Sequence, residues 1–178
     1  AQRLGAKLVS FHAGFLPHDR SDPIRITMID RLRKIADIFT ARGIHTAFET
    51  GQESALTLVD VLDELDRPTV GVNFDPANMV LYGMGEPVIA LERLSPWVKQ
   101  IHIKDARPTQ TPGTWGTETR AGEGAVNWAR FFTAVEALCP RVNLVIEREA
   151  REERTDDIRA ARDLIINHIH RPAESVHG

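Results

Sequence analysis

Two rhythms of apolar residues alternate along this chain. Short β-branched and aromatic runs occur at Lys7–Phe11, Ile44–Phe48, Val70–Phe74, Val98–Ile103 and Leu144–Ile146. Runs of this kind bounded by turn residues predict buried strands, whereas apolar recurrence near every 3.6 residues predicts helices. Asp22-Pro23 supplies an N-cap and an N1 proline for a helix through Ile24, Met28, Leu32, Ile35 and Phe39, closed by Gly43. A second helix is predicted over Glu53–Leu65, with Leu56, Val59 and Leu62 on one face, and a third over Pro87–Leu94. Asn127 caps a fourth over Trp128–Leu138, and Thr155 caps a last one through Ile158, Leu164, Ile165 and Ile169. The pattern is β-α five times over, which means an α/β fold with a parallel sheet covered by helices. A doubly wound open sheet and a (β/α)8 barrel both fit. Open nucleotide-binding sheets carry a Gly-rich loop after an early strand. Neither GxGxxG nor GxxxxGK[ST] occurs, and Gly122-Glu123-Gly124 is only a GxG.

Every strand-like run leads into a residue that can carry chemistry: His12, Glu49, Asp75, His102 and Glu147. In a parallel barrel the C-terminal strand ends converge on one face, where active sites form. Three carboxylates meeting there cannot all stay ionised without a counter-charge, so they take up protons or share a cation. Carboxylates with one imidazole suit Mn²⁺, Mg²⁺ or Co²⁺ ahead of Zn²⁺, and no Cys is in the set. Each residue alone has a plainer reading. Glu49 could cap a helix, Asp75-Pro76 could be a turn, His102 could be a core histidine and Glu147 could pair with an adjacent arginine. Four such residues at equivalent strand ends favour the metal reading. Lys104 lies two residues beyond His102, on the same side by strand alternation. Asp105–Val126 is rich in Pro, Gly and Thr, and reads as a long lid or binding loop holding Trp115 and Arg120. Asn78–Gly85 reads as a second rim loop, with Tyr82 in it.

The totals narrow the classes. With 178 residues and 42% hydrophobic content, residues 1–178 are expected to form one domain with its own core. A formal charge of −3 offers no basic field for nucleic acid, and the mixed charges of Glu147–Arg162 read as a solvated helix face. One cysteine leaves no disulfide framework. No apolar run approaches the ~18 residues of a membrane span. The expectation is a cytoplasmic protein acting on a small molecule, free of membrane and nucleic acid.

The segments AFETGQES, VNFDPANMVLYG, IHIKDA, GEGAVNW and LVIERE resemble the sugar phosphate isomerase/epimerase branch of the xylose-isomerase-like TIM barrels. The resemblance implies that Glu49, Asp75, His102 and Glu147 hold a divalent metal, and that Glu49 and Glu147 also exchange protons with the substrate. It implies an isomerase or epimerase of a sugar, sugar phosphate or keto-polyol, working through an enediolate. His12, Asn78, Lys104, Trp115 and Arg120 are then the candidate substrate contacts, Trp115 by stacking on a sugar face. Asn78 stands where related sugar epimerases carry a His, which argues against a ketose 3-epimerase. The first run resembles the family's fourth strand. About five of eight βα units are therefore expected, the C-terminal part of a barrel whose first three strands are absent. An inosose-type dehydratase on the same site is one alternative. Another is a non-catalytic fragment that associates through its open sheet edges, for instance as a homo-oligomer. An endonuclease of the superfamily would need more histidines and a basic groove.

Overall fold

The computed structural model describes residues 1–149 and 153–169. In chain order the elements are β1 (Leu8–Phe11), α1 (Pro23–Thr40), β2 (His45–Glu49), α2 (Ala55–Leu65), β3 (Val70–Phe74), α3 (Pro76–Leu81) and α4 (Pro87–Leu94). They continue with β4 (Val98–Ile103), β5 (Asp105–Arg107), β6 (Thr117–Thr119), α5 (Trp128–Leu138), β7 (Asn143–Ile146) and α6 (Arg154–Ile169). Five strands form one parallel sheet in the order β1-β2-β3-β4-β7. This is an open half of a (β/α)8 barrel. Its edges are β1 and β7 among the described residues. No helix among them is long and apolar enough to cross a membrane.

Alternation along each strand divides the sheet into two faces. Phe48, Val72, Phe74, Ile101 and Ile103 join Leu58, Val61, Leu65, Leu91, Leu94 and Phe131 in one buried core. Phe74 stacks on Phe131 of α5 at 5.9 Å between ring centroids. Each fully buried side chain of this kind contributes about 1.5–3 kcal/mol. The opposite face carries Glu49, Asn73, His102 and, just past β4, Lys104. Gly71 also lies on that face, where a Cβ would sit 2.3 Å from the Trp97 carbonyl oxygen. Between β3 and β4 the register shifts: Val72 pairs with Val98, but Asn73 pairs with Gln100. Lys99 is the extra residue, and the shift sets Asn73 beside Gln100.

Most predicted elements form, with informative differences. Asp22 caps α1 by accepting from the Ile24 amide at 2.7 Å, but the buried stripe runs through Arg25, Ile29, Leu32 and Ala36. Ile24 is instead 62% exposed. The rotation follows from Arg25, which is taken inside by Asp60, Glu64 and the carbonyls of Pro17 and His18. Helix α2 begins at Ala55 with Ser54 as its cap, and Leu56 points outward. The start of the Asn78–Gly85 rim loop is helical: Pro76 is the first residue of α3 and Asp75 its N-cap. The Asp105–Val126 stretch contains the antiparallel β5-β6 hairpin. Helix α6 begins at Arg154, so Thr155 lies inside it and does not cap it. The side chain of Ile169 and residues 150–152 of the charged run lie outside the described residues.

Candidate metal centre

The ends of β2, β3, β4 and β7 bring Glu49, Asp75, His102 and Glu147 together. One ligand atom of each lies within 4.8 Å of the others. His102 Nδ1 is the hub, 3.2 Å from Glu147 Oε2, 3.5 Å from Asp75 Oδ2 and 3.7 Å from Glu49 Oε1. Asp75 is fully buried, and its two oxygens differ. Oδ1 accepts from the amides of Ala77 and Asn78 at 2.8 and 3.0 Å, capping α3, whereas Oδ2 has no hydrogen-bond partner. His102 Nδ1 is a second buried atom without one. Buried polar atoms normally have partners, and two orphans facing one point fit a bound cation. Three oxygens and one imidazole nitrogen are a donor set for a divalent ion. Two of the plainer roles are filled otherwise among the described residues: Ser54 caps α2 in place of Glu49, and Glu147 pairs with Lys104.

The electrostatics show how the cluster compensates itself. Burial opposes charge on His102, but the carboxylates of Asp75 and Glu147 beside its ring outweigh burial and lift it to about 10. The same His102 contact, then Lys104, holds Glu147 down to about 2. Desolvation pushes Glu49 up, partly offset by His12 and His102. Lys104 is almost fully buried. Its Nζ donates to Glu147 Oε2 at 2.9 Å and Glu149 Oε1 at 2.7 Å, and lies 3.8 Å from Asp75 Oδ2. Those anions raise it despite burial. With His102 protonated, the three cluster carboxylates against Lys104 and the imidazolium leave one negative charge, and a dication in place of that proton brings the sum to zero.

Of the predicted contacts, Asn78 donates to Glu49 Oε1 at 2.9 Å and accepts from Lys104 Nζ at 3.5 Å, so it bridges the two. Gly51 permits this, since a Cβ there would lie 2.4 Å from Asn78 Cβ. His12 Nε2 lies 3.4 Å from Glu49 Oε1 at the cluster's edge. Trp115 is 65% exposed and meets Tyr82 edge-on at 5.2 Å, while the Gly116 amide fastens the hairpin to the Leu81 carbonyl. Arg120 is not brought to the cluster: it turns to Asp157 and Glu123 at 3.8 and 4.0 Å. Sequence reading missed Glu149, Asn73 and Asp105. Alternation within VNFDP, two residues before Asp75, could have found Asn73. Asp105 is held by the amides of Ala106, Gly122, Gly124 and Val126 and by the Trp128 indole.

Residues 1–168 match the family described as xylose isomerase-like TIM barrel. The chain is 31% identical over 130 residues to a 2-epi-5-epi-valiolone 7-phosphate 2-epimerase of an Actinoplanes species, covering 72% of this chain and 46% of that protein. A xylose isomerase domain protein from Planctomyces limnophilus superposes with a TM-score of 0.87 at 33% identity, over 94% of this chain and 60% of that one. A xylose isomerase-like TIM barrel protein from Mycobacterium smegmatis, solved with magnesium, gives 0.71 at 19% identity, over 93% and 62%, and shares the fold. The chain thus spans less than two thirds of these relatives. With the half-barrel, the strand-end cluster and the match over residues 1–168 together, this chain belongs to the xylose isomerase-like TIM barrel family.

Proposed function

We propose that this chain carries the metal and proton-transfer residues of an enzyme that isomerises or epimerises a sugar, sugar phosphate or related keto-polyol. The observation that carries this is the pair of orphaned buried atoms, Asp75 Oδ2 and His102 Nδ1, between two glutamates. A divalent ion, with Mn²⁺, Mg²⁺ and Co²⁺ favoured, would supply Lewis acidity toward the charge that develops when a carbon beside a carbonyl loses its proton. Glu49 ends β2 and Glu147 follows β7, on either side of β3 and β4. One removes the proton and the other returns it. Lys104 offsets negative charge at the reacting oxygens, and Asn78 holds Glu49 and Lys104 in place. An amide there cannot exchange a proton as a histidine can, which favours a reaction other than ketose 3-epimerisation. The 2-epimerase activity of the Actinoplanes relative, on a phosphorylated valiolone, supports a phosphorylated keto-polyol. Trp115 and Tyr82 offer a sugar an apolar wall, and a soluble small molecule is the expected partner.

The test is proton exchange. The chain loaded with Mn²⁺ or Co²⁺ is incubated in D₂O with keto-sugar phosphates and keto-polyol phosphates, and deuterium beside the carbonyl is read by NMR. The reading expects exchange that Glu147→Gln lowers by roughly 10²–10⁴. The same spectra separate an isomer from a dehydrated product. Exchange equal in the wild type and Glu147→Gln would contradict the assigned roles.

A further inference from the structure

The inner face of β3 and β4 holds a contact that the metal reading does not use. Asn73 is fully buried, and its amide nitrogen lies 3.0 Å from His102 Nε2, the ring nitrogen turned away from the carboxylates. Behind it, Gln100 Nε2 donates to Asn73 Oδ1 at 3.3 Å. The register shift that pairs Asn73 with Gln100 brings the two amides together. We propose that Asn73, backed by Gln100, is a positioning residue that fixes the His102 ring so that Nδ1 faces the carboxylates ready to bind a divalent ion. This rests on the metal reading of the same site.

A neutral imidazole has one N–H and one bare nitrogen, and only the bare nitrogen binds a metal. With Nδ1 as ligand, Nε2 carries the hydrogen and needs an acceptor. Partners of this kind orient ligating histidines, and their loss typically weakens metal affinity 10–100-fold. An amide suits the place because it serves either tautomer. Its nitrogen, 3.0 Å from Nε2, donates where Nε2 is bare, and after a half-turn its oxygen accepts from Nε2–H. Gln100 can make the matching turn, its own oxygen then accepting from the Asn73 nitrogen. A carboxylate at 73 would serve only the Nε2–H form and would add a fourth negative charge near the cluster. A hydrocarbon would serve neither.

The experiment is Co²⁺ binding by the full chain, read by competition with a chromophoric chelator and by the visible Co²⁺ spectrum. Three variants are compared: Asn73→Leu, Asn73→Asp and Gln100→Met. The proposal expects about 10–100-fold weaker binding in Asn73→Leu with a changed spectrum. Asn73→Asp should stay within about threefold of the wild type, because a carboxylate still accepts from Nε2–H, and Gln100→Met should lose about two- to fivefold. A purely packing role predicts lower melting temperatures with unchanged affinity and spectrum, and that result overturns the proposal. Should Asn73→Leu not fold, ¹⁵N NMR of the wild type with Zn²⁺ decides. A proton on Nε2 and a metal-shifted Nδ1 support the proposal; a proton on Nδ1 overturns it. A wild type that binds no ion contradicts the metal reading itself, whereas equal binding by the wild type and Asn73→Leu contradicts only the role given to Asn73.

Discussion

Asp75 and Asp105 are both fully buried aspartates just beyond strands of the same sheet, and the chain treats them in opposite ways. Around Asp105 the rim closes: three amides from Gly122–Val126, the Ala106 amide and the Trp128 indole saturate both oxygens. Gly124 has no room for a side chain there, since a Cβ would lie 2.0 Å from Asp105 Oδ1. Around Asp75 one oxygen caps α3, and the other faces His102 and Lys104 with no hydrogen bond. A saturated buried carboxylate ties backbone together. An unsaturated one has capacity left for a ligand, and the fold bears the cost of keeping it so.

Breaking the rim should have the largest effect on stability. Asp105→Leu leaves four buried or half-buried donors without their acceptor, at about 1–3 kcal/mol each when unpaired. The expected loss is about 4 kcal/mol in urea unfolding, and a loss below about 1 kcal/mol would show that the loop does not hang on this residue. Lys104→Met removes the cation that Glu147 and Glu149 share. With Glu147 partly exposed, about 2 kcal/mol is expected in the metal-free protein, measured the same way.

Glu53 sharpens the contrast as a third buried carboxylate. It has no hydrogen bond or ion pair among the described residues, and burial alone raises it to about 7. The folded state therefore binds this proton more tightly than the unfolded chain, whose value is near 4.5. Stability contributed by the protonated form is fully present at low pH and falls as pH rises from about 4.5 to about 7, by roughly 3 kcal/mol. Glu53→Gln should flatten that slope; a slope unchanged in the variant assigns it to other groups. The smallest effect is expected at Arg120, a half-exposed side chain whose contacts to Glu123 and Asp157 are only 4.0 and 3.8 Å approaches. Arg120→Ala should alter melting by less than about 0.5 kcal/mol and leave metal affinity alone.

What could be read in advance follows the same division. Apolar runs mark where strands end, so the sequence places Glu49, Asp75, His102 and Glu147 at equivalent strand ends, and alternation sets Lys104 on the side of His102. The end of β3 was harder. Asp-Pro reads equally as a turn or as a cap with N1 proline, and α3 is too short for apolar periodicity to decide between them. On α1 the apolar pattern was overridden by Arg25, because Asp60 and Glu64 lie far along the chain. The rim was least legible. Asp105 ties the rim through contacts across some twenty residues, and Arg120 turns to Asp157 farther along the chain; no local pattern records either.

The most direct test of the metal centre is the ion content of the purified chain by plasma mass spectrometry, beside Asp75→Asn. That variant keeps an oxygen to cap α3 and removes only the charge facing His102, so it should fold with a stability change under about 1 kcal/mol. The account predicts about one divalent ion per wild-type chain and none in Asp75→Asn. Equal content in both, or no ion in a wild type given excess Mn²⁺, Mg²⁺ and Co²⁺, would contradict it.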